Sequence, residues 1–277
     1  MMRTLRRTAA ALTITAAGLG LAASAASAGE LSMDDATGVV TYDAKVGEVN
    51  HVTVTQNGND VTVTDSAGVT LGEGCSGDPR HCDRGRRPIT KIRVYLGNQD
   101  DTLDASATSS PVYAEGNAGD DDITTGPAAD TVYGGTGGDI IHVNLGDDLV
   151  YGEEGEDVLS GSNGNDDLHG GMARDQILGG NDADDLFGEI GDDNMNGAAG
   201  ADVLRGGDGD DTMNGGADRD TFFGEAGSDT ITASGVGVDK EEVDCGDGPF
   251  WNNDDFASLT TGDVLFDNCE RHTFVTT

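Results

Sequence analysis

One periodicity constrains this chain more than any other feature. Stepping by nine from Ile123 gives Ile123, Val132, Ile141, Val150, Leu159, Leu168, Ile177, Leu186, Met195, Leu204, Met213, Phe222 and Ile231, all apolar. Two residues before each stands an aspartate: Asp121, Asp130, Asp139, Asp148, Asp157, Asp166, Asp175, Asp184, Asp193, Asp202, Asp211, Asp220 and Asp229. A disordered acidic tract has no cause to hold such a register. A short fixed repeat is the signature of a wound chain in which each unit buries one face against its neighbours.

The unit reads G-G-x-G-x-D-x-U-x, with U apolar, and residues 134–142 fit it fully. Glycine fills the first place in eleven of the thirteen units, failing at Thr125 and Val143, and the fourth place in nine. Glycine admits positive φ and close approach of backbones, so six residues can form a tight turn. The x-U-x triplet is then a short strand with one side chain pointing inward. Two units make one coil of a flattened solenoid with turns on alternate edges. The U residues stack inside it, and the sixth-place Asp faces the turn of the adjacent coil.

Charge is the difficulty for such a structure. Residues 116–232 hold 28 acids against three arginines, a net charge of −25, and the whole chain carries −37. Carboxylates on stacked coils would lie about 5 Å apart, and at an effective dielectric near 20 each pair repels by about 3 kcal/mol. A hard divalent cation between coils reverses that sign. Carboxylates and turn carbonyls are oxygen donors suited to the flexible coordination of Ca²⁺, whereas Mg²⁺ demands octahedral geometry and retains water. Zn²⁺ lacks the Cys and His it prefers.

These residues resemble the RTX, or haemolysin-type, calcium-binding nonapeptide repeat over 116–232. The resemblance implies an all-β fold, a parallel β-roll with Ca²⁺ between successive turns on each edge. It also implies that the thirteen aspartates give their carboxylates while other turn residues give main-chain carbonyls. If each ion bridges a repeat and the next but one, thirteen repeats allow at most eleven ions. Arg174 and Arg219 sit beside sixth-place aspartates, where a guanidinium replaces part of an ion's charge. The unit 125–133 is the poorest glycine match, and Pro127 restricts its turn.

The expected organisation has four parts. Residues 1–28 read as a signal peptide: Arg3, Arg6 and Arg7, an apolar run over 9–23, then Ala26-Ser27-Ala28 as a small-residue cleavage site. Residues 29–115 read as an N-terminal β cap with degenerate first coils. Val52–Thr55 and Val61–Thr64 alternate about an Asn57-Gly58 turn, a hairpin pattern, and Ile89–Leu96 supplies a further strand. Val94, Leu103 and Val112 keep the nine-residue spacing, with Asp101 two before Leu103 and two residues inserted between Val112 and Ile123. The thirteen repeats occupy 116–232. A C-terminal cap, with Phe250, Trp251, Phe256 and Phe266, covers 233–277. Four cysteines in an exported chain imply two disulfides, and proximity favours Cys75–Cys82 and Cys245–Cys269.

The acid excess excludes nucleic acid as a partner, and no apolar run reaches the length that spans a bilayer. There is no HExxH or GxSxG motif, and the five histidines lack zinc-ligand spacing. The expectation is therefore a secreted, extracellular, non-enzymatic calcium-binding protein, whose partners are calcium ions and an unidentified cell-surface or glycan ligand. Two alternatives stand beside it: a calcium-stabilised adhesin, matrix or ice-binding solenoid, and a secreted hydrolase with an unrecognised site.

Overall fold

The computed structural model describes residues 28–34, 36–71, 75, 81–83, 88–233, 242–245, 256–259, 264–265 and 271–274. The signal peptide expected at 1–28 thus lies, except for Ala28, outside the described residues. So do Phe250, Trp251 and Phe266. No helix occurs among the described residues, and none there is long and apolar enough to cross a membrane.

The chain winds as a β-solenoid. Its described strands form two thirteen-stranded sheets, and successive strands of the chain alternate between them through the repeats. Each coil takes one strand from each sheet, so a strand pairs in parallel with the one eighteen residues on. Val132, Val150, Leu168, Leu186, Leu204 and Phe222 lie opposite one another in one sheet. Ile123, Ile141, Leu159, Ile177, Met195, Met213 and Ile231 do so in the other. All thirteen are buried, at most 2% exposed. The two-repeat coil and the inward U column are as the sequence predicts.

Strand length differs from the expectation. Most repeat strands run six residues, as in Leu149–Glu154 and Asp167–Met172, through places seven to nine and on into places one to three of the next unit. Pairing skips the place-one glycine and resumes, Glu153 opposite Gly171 and Glu154 opposite Met172. A left-handed place-two residue, Glu153 at φ 79° for example, returns the chain to register after the bend. Pairing beyond the x-U-x triplet depends on this backbone setting, which an alternation of residue types does not encode.

The inserted residues also move. Ala114, not Val112, occupies the core column, opposite Val94 and Val132, and Ile123 lies opposite Leu103. The extra length therefore falls between Leu103 and Ala114. There Thr108 closes a local turn, with its N–H and Oγ1 both donating to the Ala105 carbonyl. Val112 is buried as well, which is why it passes for a ladder residue in the sequence.

Upstream, the winding gives way to antiparallel pairing. Gly29–Asp34 pairs antiparallel with Val39–Asp43, and His51–Asn57 with Asp60–Asp65. The second pair is the expected hairpin, with Gly58-Asn59 as its connecting residues, one position later than the Asn57-Gly58 reading. Val39–Asp43 and His51–Asn57 then join the first parallel strands, Lys91–Asn98 and Thr102–Ala107. Leu31, Val40, Tyr42, Val52, Val54, Val61 and Val63 are buried between the two layers. Cys75 and Cys82 form the expected disulfide beside the edge strand His81–Asp83. Downstream, Glu242–Asp244, Phe256–Leu259, Val264–Leu265 and Arg271–Phe274 continue both sheets in parallel. Cys245 is disulfide-bonded, and Cys269, its expected partner, lies outside the described residues.

Candidate metal centres

The sixth-place aspartates form two internal ladders, one along each edge of the roll. All thirteen are buried, none more than 2% exposed. Along one edge the Oδ1 of each accepts the backbone N–H of the Asp one coil earlier: Asp101 to Asp121, then Asp139, Asp157, Asp175, Asp193, Asp211 and Asp229. Along the other the series runs Asp130, Asp148, Asp166, Asp184, Asp202 and Asp220. These bonds measure 2.6–3.0 Å. Each Asp thus ties two coils together.

The two ladders begin differently. The first starts at Asn50, fully buried, whose N–H donates to Asp101 Oδ1 at 2.6 Å and whose Nδ2 donates to the carbonyls of Leu96 and Glu48. The second starts at Val112, whose N–H donates to Asp130 Oδ1. Asp101, a candidate from its spacing to Leu103, is a full member of the first ladder and 1% exposed. Asn50 carries no repeat signature, and sequence reasoning passes over it.

Only half of each carboxylate is satisfied in this way. From Asp121 to Asp211 every sixth-place Oδ2 is buried without a hydrogen-bond partner among the described residues, and so is that of Asp101. An orphaned buried carboxylate oxygen carries a large desolvation cost. Burial accordingly pushes these carboxyls up, against the lowering effect of the backbone N–H each accepts. Asp175 rises to about 8. Asp121, Asp139, Asp148, Asp184 and Asp211 rise to about 7, and Asp130, Asp157, Asp166 and Asp202 to about 6. Asp193 is raised as well, with Arg174 opposing the rise.

The glycines show what surrounds those oxygens. A Cβ at Gly116 would overlap the Oδ2 of Asp121 and the carbonyl oxygen of Gly134. Gly152, Gly161, Gly188, Gly197 and Gly206 repeat this arrangement with their own Asp and the place-one carbonyl of the next coil. At place four the approach is carbonyl on glycine: a Cβ at Gly155 would overlap the Gly137 oxygen, and one at Gly164 the Gly146 oxygen. The space between coils is thus lined by one carboxylate oxygen and several main-chain carbonyls. Among the described residues no three His, Cys, Asp or Glu side chains converge on one point. A cation held here must draw on the main chain. An all-oxygen set mixing one or two carboxylates with carbonyls suits Ca²⁺.

Arginine sits outside these gaps. Arg174 is exposed and donates to the Asp192 carbonyl and to its carboxylate at 3.2 Å, on the outer rim of the turn. Arg219 pairs with Glu242. The place-five carboxylates of Asp120, Asp147, Asp192 and Asp210 are also rim groups, each accepting a turn N–H from the next coil.

Residues 115–231 match the RTX calcium-binding nonapeptide repeat family model, in overlapping stretches at 115–150, 133–168, 142–177, 160–195, 169–204 and 196–231. These are RTX repeats. RTX nonapeptides bind Ca²⁺ as a class and are generally structural rather than catalytic. No curated protein matches the chain. The matched RTX segment coincides with the stretch in which both Asp ladders are continuous.

Proposed function

We propose that this chain is a secreted, non-enzymatic calcium-binding protein whose RTX repeats wind into the β-roll on binding Ca²⁺. The observation that carries the reading is the column of buried Oδ2 atoms from Asp121 to Asp211, unpartnered among the described residues and most of them beside a place-one carbonyl of the next coil. The ligands in this reading are the thirteen sixth-place aspartates, Asp121 through Asp229, with Asp101 as a further donor beside Asn50. Eleven gaps separate successive members of the thirteen-aspartate set, which bounds the ions bridging its repeats, and the Asp101–Asp121 step adds a twelfth. The segment 116–232 is the calcium-responsive part, and 29–115 and 233–277 cap it.

Calcium neutralises the stacked carboxylates when bound. Everything else the residues do themselves: Oδ1 fixes the coil spacing, glycine at places one and four keeps the carbonyls close, and the U residues exclude water. Low calcium inside a cell and millimolar calcium outside would delay folding until export. A calcium titration followed by circular dichroism and calorimetry tests this. The expected result is a strand spectrum that develops with several bound ions. A strand spectrum at neutral pH unchanged by complete calcium removal would overturn it.

A further inference from the structure

The outer face of one sheet carries a ladder that the calcium chemistry does not use. Tyr133, Tyr151, His169 and Phe187 occupy place nine of every second repeat, one per coil. Their rings stack in sequence, at 5.0, 4.5 and 4.4 Å between centroids and 11°, 21° and 5° between planes. Tyr113 and Tyr95 extend the run upstream at 5.7 and 6.0 Å. Downstream, Arg205 takes the same column and lies 4.0 Å over the Phe223 ring.

Beside the rings runs a toothed edge. The place-two column of the same sheet reads Glu153, Gly171, Glu189, Gly207, Glu225, each opposite the next. The three glutamates are exposed and left-handed, at φ 79°, 74° and 70°. The alternation itself is steric, because a Cβ at Gly171 would overlap the Glu153 carbonyl, and one at Gly207 that of Glu189. Glutamate is not steric: the place-two column of the opposite edge fills its non-glycine left-handed positions with Ser162 and Ala198, and the left-handed acids of that edge, Asp182 and Asp218, stand at place four in the turn. A left-handed L-residue costs about 1–2 kcal/mol. At place two such exposed acids occur on the aromatic side alone, as Glu153, Glu189 and Glu225, which points to function. Over the Gly135 and Gly171 notches lie grooves of about 310 and 520 Å³, lined by ladder rings, by Glu153 and Glu189, and by Met172 and Ile190, each 52% exposed. Neither groove is lined by lysine or arginine.

We propose that this face docks an extended cationic peptide with a basic residue at every third position. The teeth are two coils apart, about 9.5 Å at the usual strand spacing. A polyproline-II segment advances about 9.3 Å in three residues, so every third side chain meets a glutamate while the residues between lie over rings and notches. Aromatic-lined grooves are the usual bed for such segments. Charge complementarity favours a cation, and Arg205 and Lys91, the latter 5.7 Å from the Tyr113 ring centre, already pack on rings of this ladder. A glycan is disfavoured, because the stacked rings turn their faces to one another and not outward. Glu189 also lies 3.0 Å from His169 Nδ1, within hydrogen-bond distance, a contact that an incoming cation would share.

Isothermal titration of the calcium-loaded full chain tests the proposal with synthetic peptides of equal charge, carrying arginine at every second, third or fourth position among prolines. The third-position peptide should bind at least fivefold tighter than the other two. The combined Glu153→Gln, Glu189→Gln, Glu225→Gln variant should weaken it tenfold or more. Tyr151→Ala should weaken it severalfold, and added salt should weaken it throughout. Circular dichroism on the same samples establishes that the roll is wound. If the triple variant loses its strand spectrum, the single Glu153→Gln variant carries the comparison, with a loss of at least twofold expected. Equal affinity for all three spacings, binding indifferent to the glutamate changes, or displacement of the peptide by neutral oligosaccharides would each overturn it.

Discussion

The two halves of the cap-and-roll boundary solve the same packing problem with opposite chemistry. The hairpin of His51–Asn57 and Asp60–Asp65 and the strands over it bury Leu31, Val40, Tyr42, Val52, Val54, Val61 and Val63, with a disulfide between Cys75 and Cys82. Its buried acid, Asp65, is answered by the Tyr42 hydroxyl. The roll buries one U residue per nine, and alongside each a carboxylate whose Oδ2, from Asp121 to Asp211, has no partner among the described residues. The cap is thus held by apolar area and a covalent link. The roll stays conditional on something that quenches charge. Asn50 stands at the junction, an uncharged side chain in line with the Asp ladder.

The largest break in that comparison should come from protons. With calcium chelated, burial pushes ten of the sixth-place carboxyls up to about 6–8 in the folded chain, above the ordinary value of 3.8. A raised folded pKa gives stability that is complete below the unfolded value and lost as pH rises through the folded one. The metal-free roll should therefore hold its strand spectrum near pH 4 and lose it between about pH 6 and 8, while the cap shows no matching transition. Circular dichroism in chelator across pH checks this.

A smaller effect should follow from filling one gap. Gly152→Ala places a methyl against the Asp157 carboxylate and the Gly170 carbonyl. A loss of about 2–4 kcal/mol is expected, on the scale of a broken buried network, with fewer ions bound in calorimetry. The same change at Gly58, where nothing lies within 4 Å of the added methyl, meets no contact and only the left-handed backbone opposes it.

The next test inverts with conditions. Asp175→Asn removes the most strongly raised carboxyl of the ladder. At neutral pH it should stabilise the metal-free roll by about 1–3 kcal/mol, the scale of an uncompensated buried polar group, yet weaken calcium binding. Thermal melts with and without calcium should therefore shift in opposite directions. The smallest effect is Glu153→Gly, which relieves a left-handed L-residue and should raise stability by about 1 kcal/mol in either state.

Much of the roll is legible in the residues, because its two determinants are side-chain identities at fixed spacing. The U column and the Asp column needed only counting, and both lie where the count puts them. What escaped depends on backbone setting or on a longer period. Six-residue strands follow from left-handed place-two residues such as Glu153 and Ser162, which a residue pattern leaves open. Val112 satisfies a nine-residue count, yet Ala114 fills the column because a turn at 105–111 absorbs the extra length. Asn50 joins the Asp ladder by fold alone. The aromatic column was open to inspection at a spacing of eighteen (Tyr133, Tyr151, His169, Phe187, Arg205, Phe223), but a nine-residue reading interleaves it with the non-aromatic residues Ser160, Leu178, Asn196 and Asn214 of the other sheet.

Native-state hydrogen exchange at pH 7.5, with calcium and after its chelation, addresses the dependence of the roll on a counter-charge most directly. The amides of Val150, Leu168 and Leu186 should be strongly protected with calcium and lose that protection without it. Those of Val54 and Val63 should change little. Equal protection of both sets in chelator would show that the buried aspartates need no cation, and the account would fail.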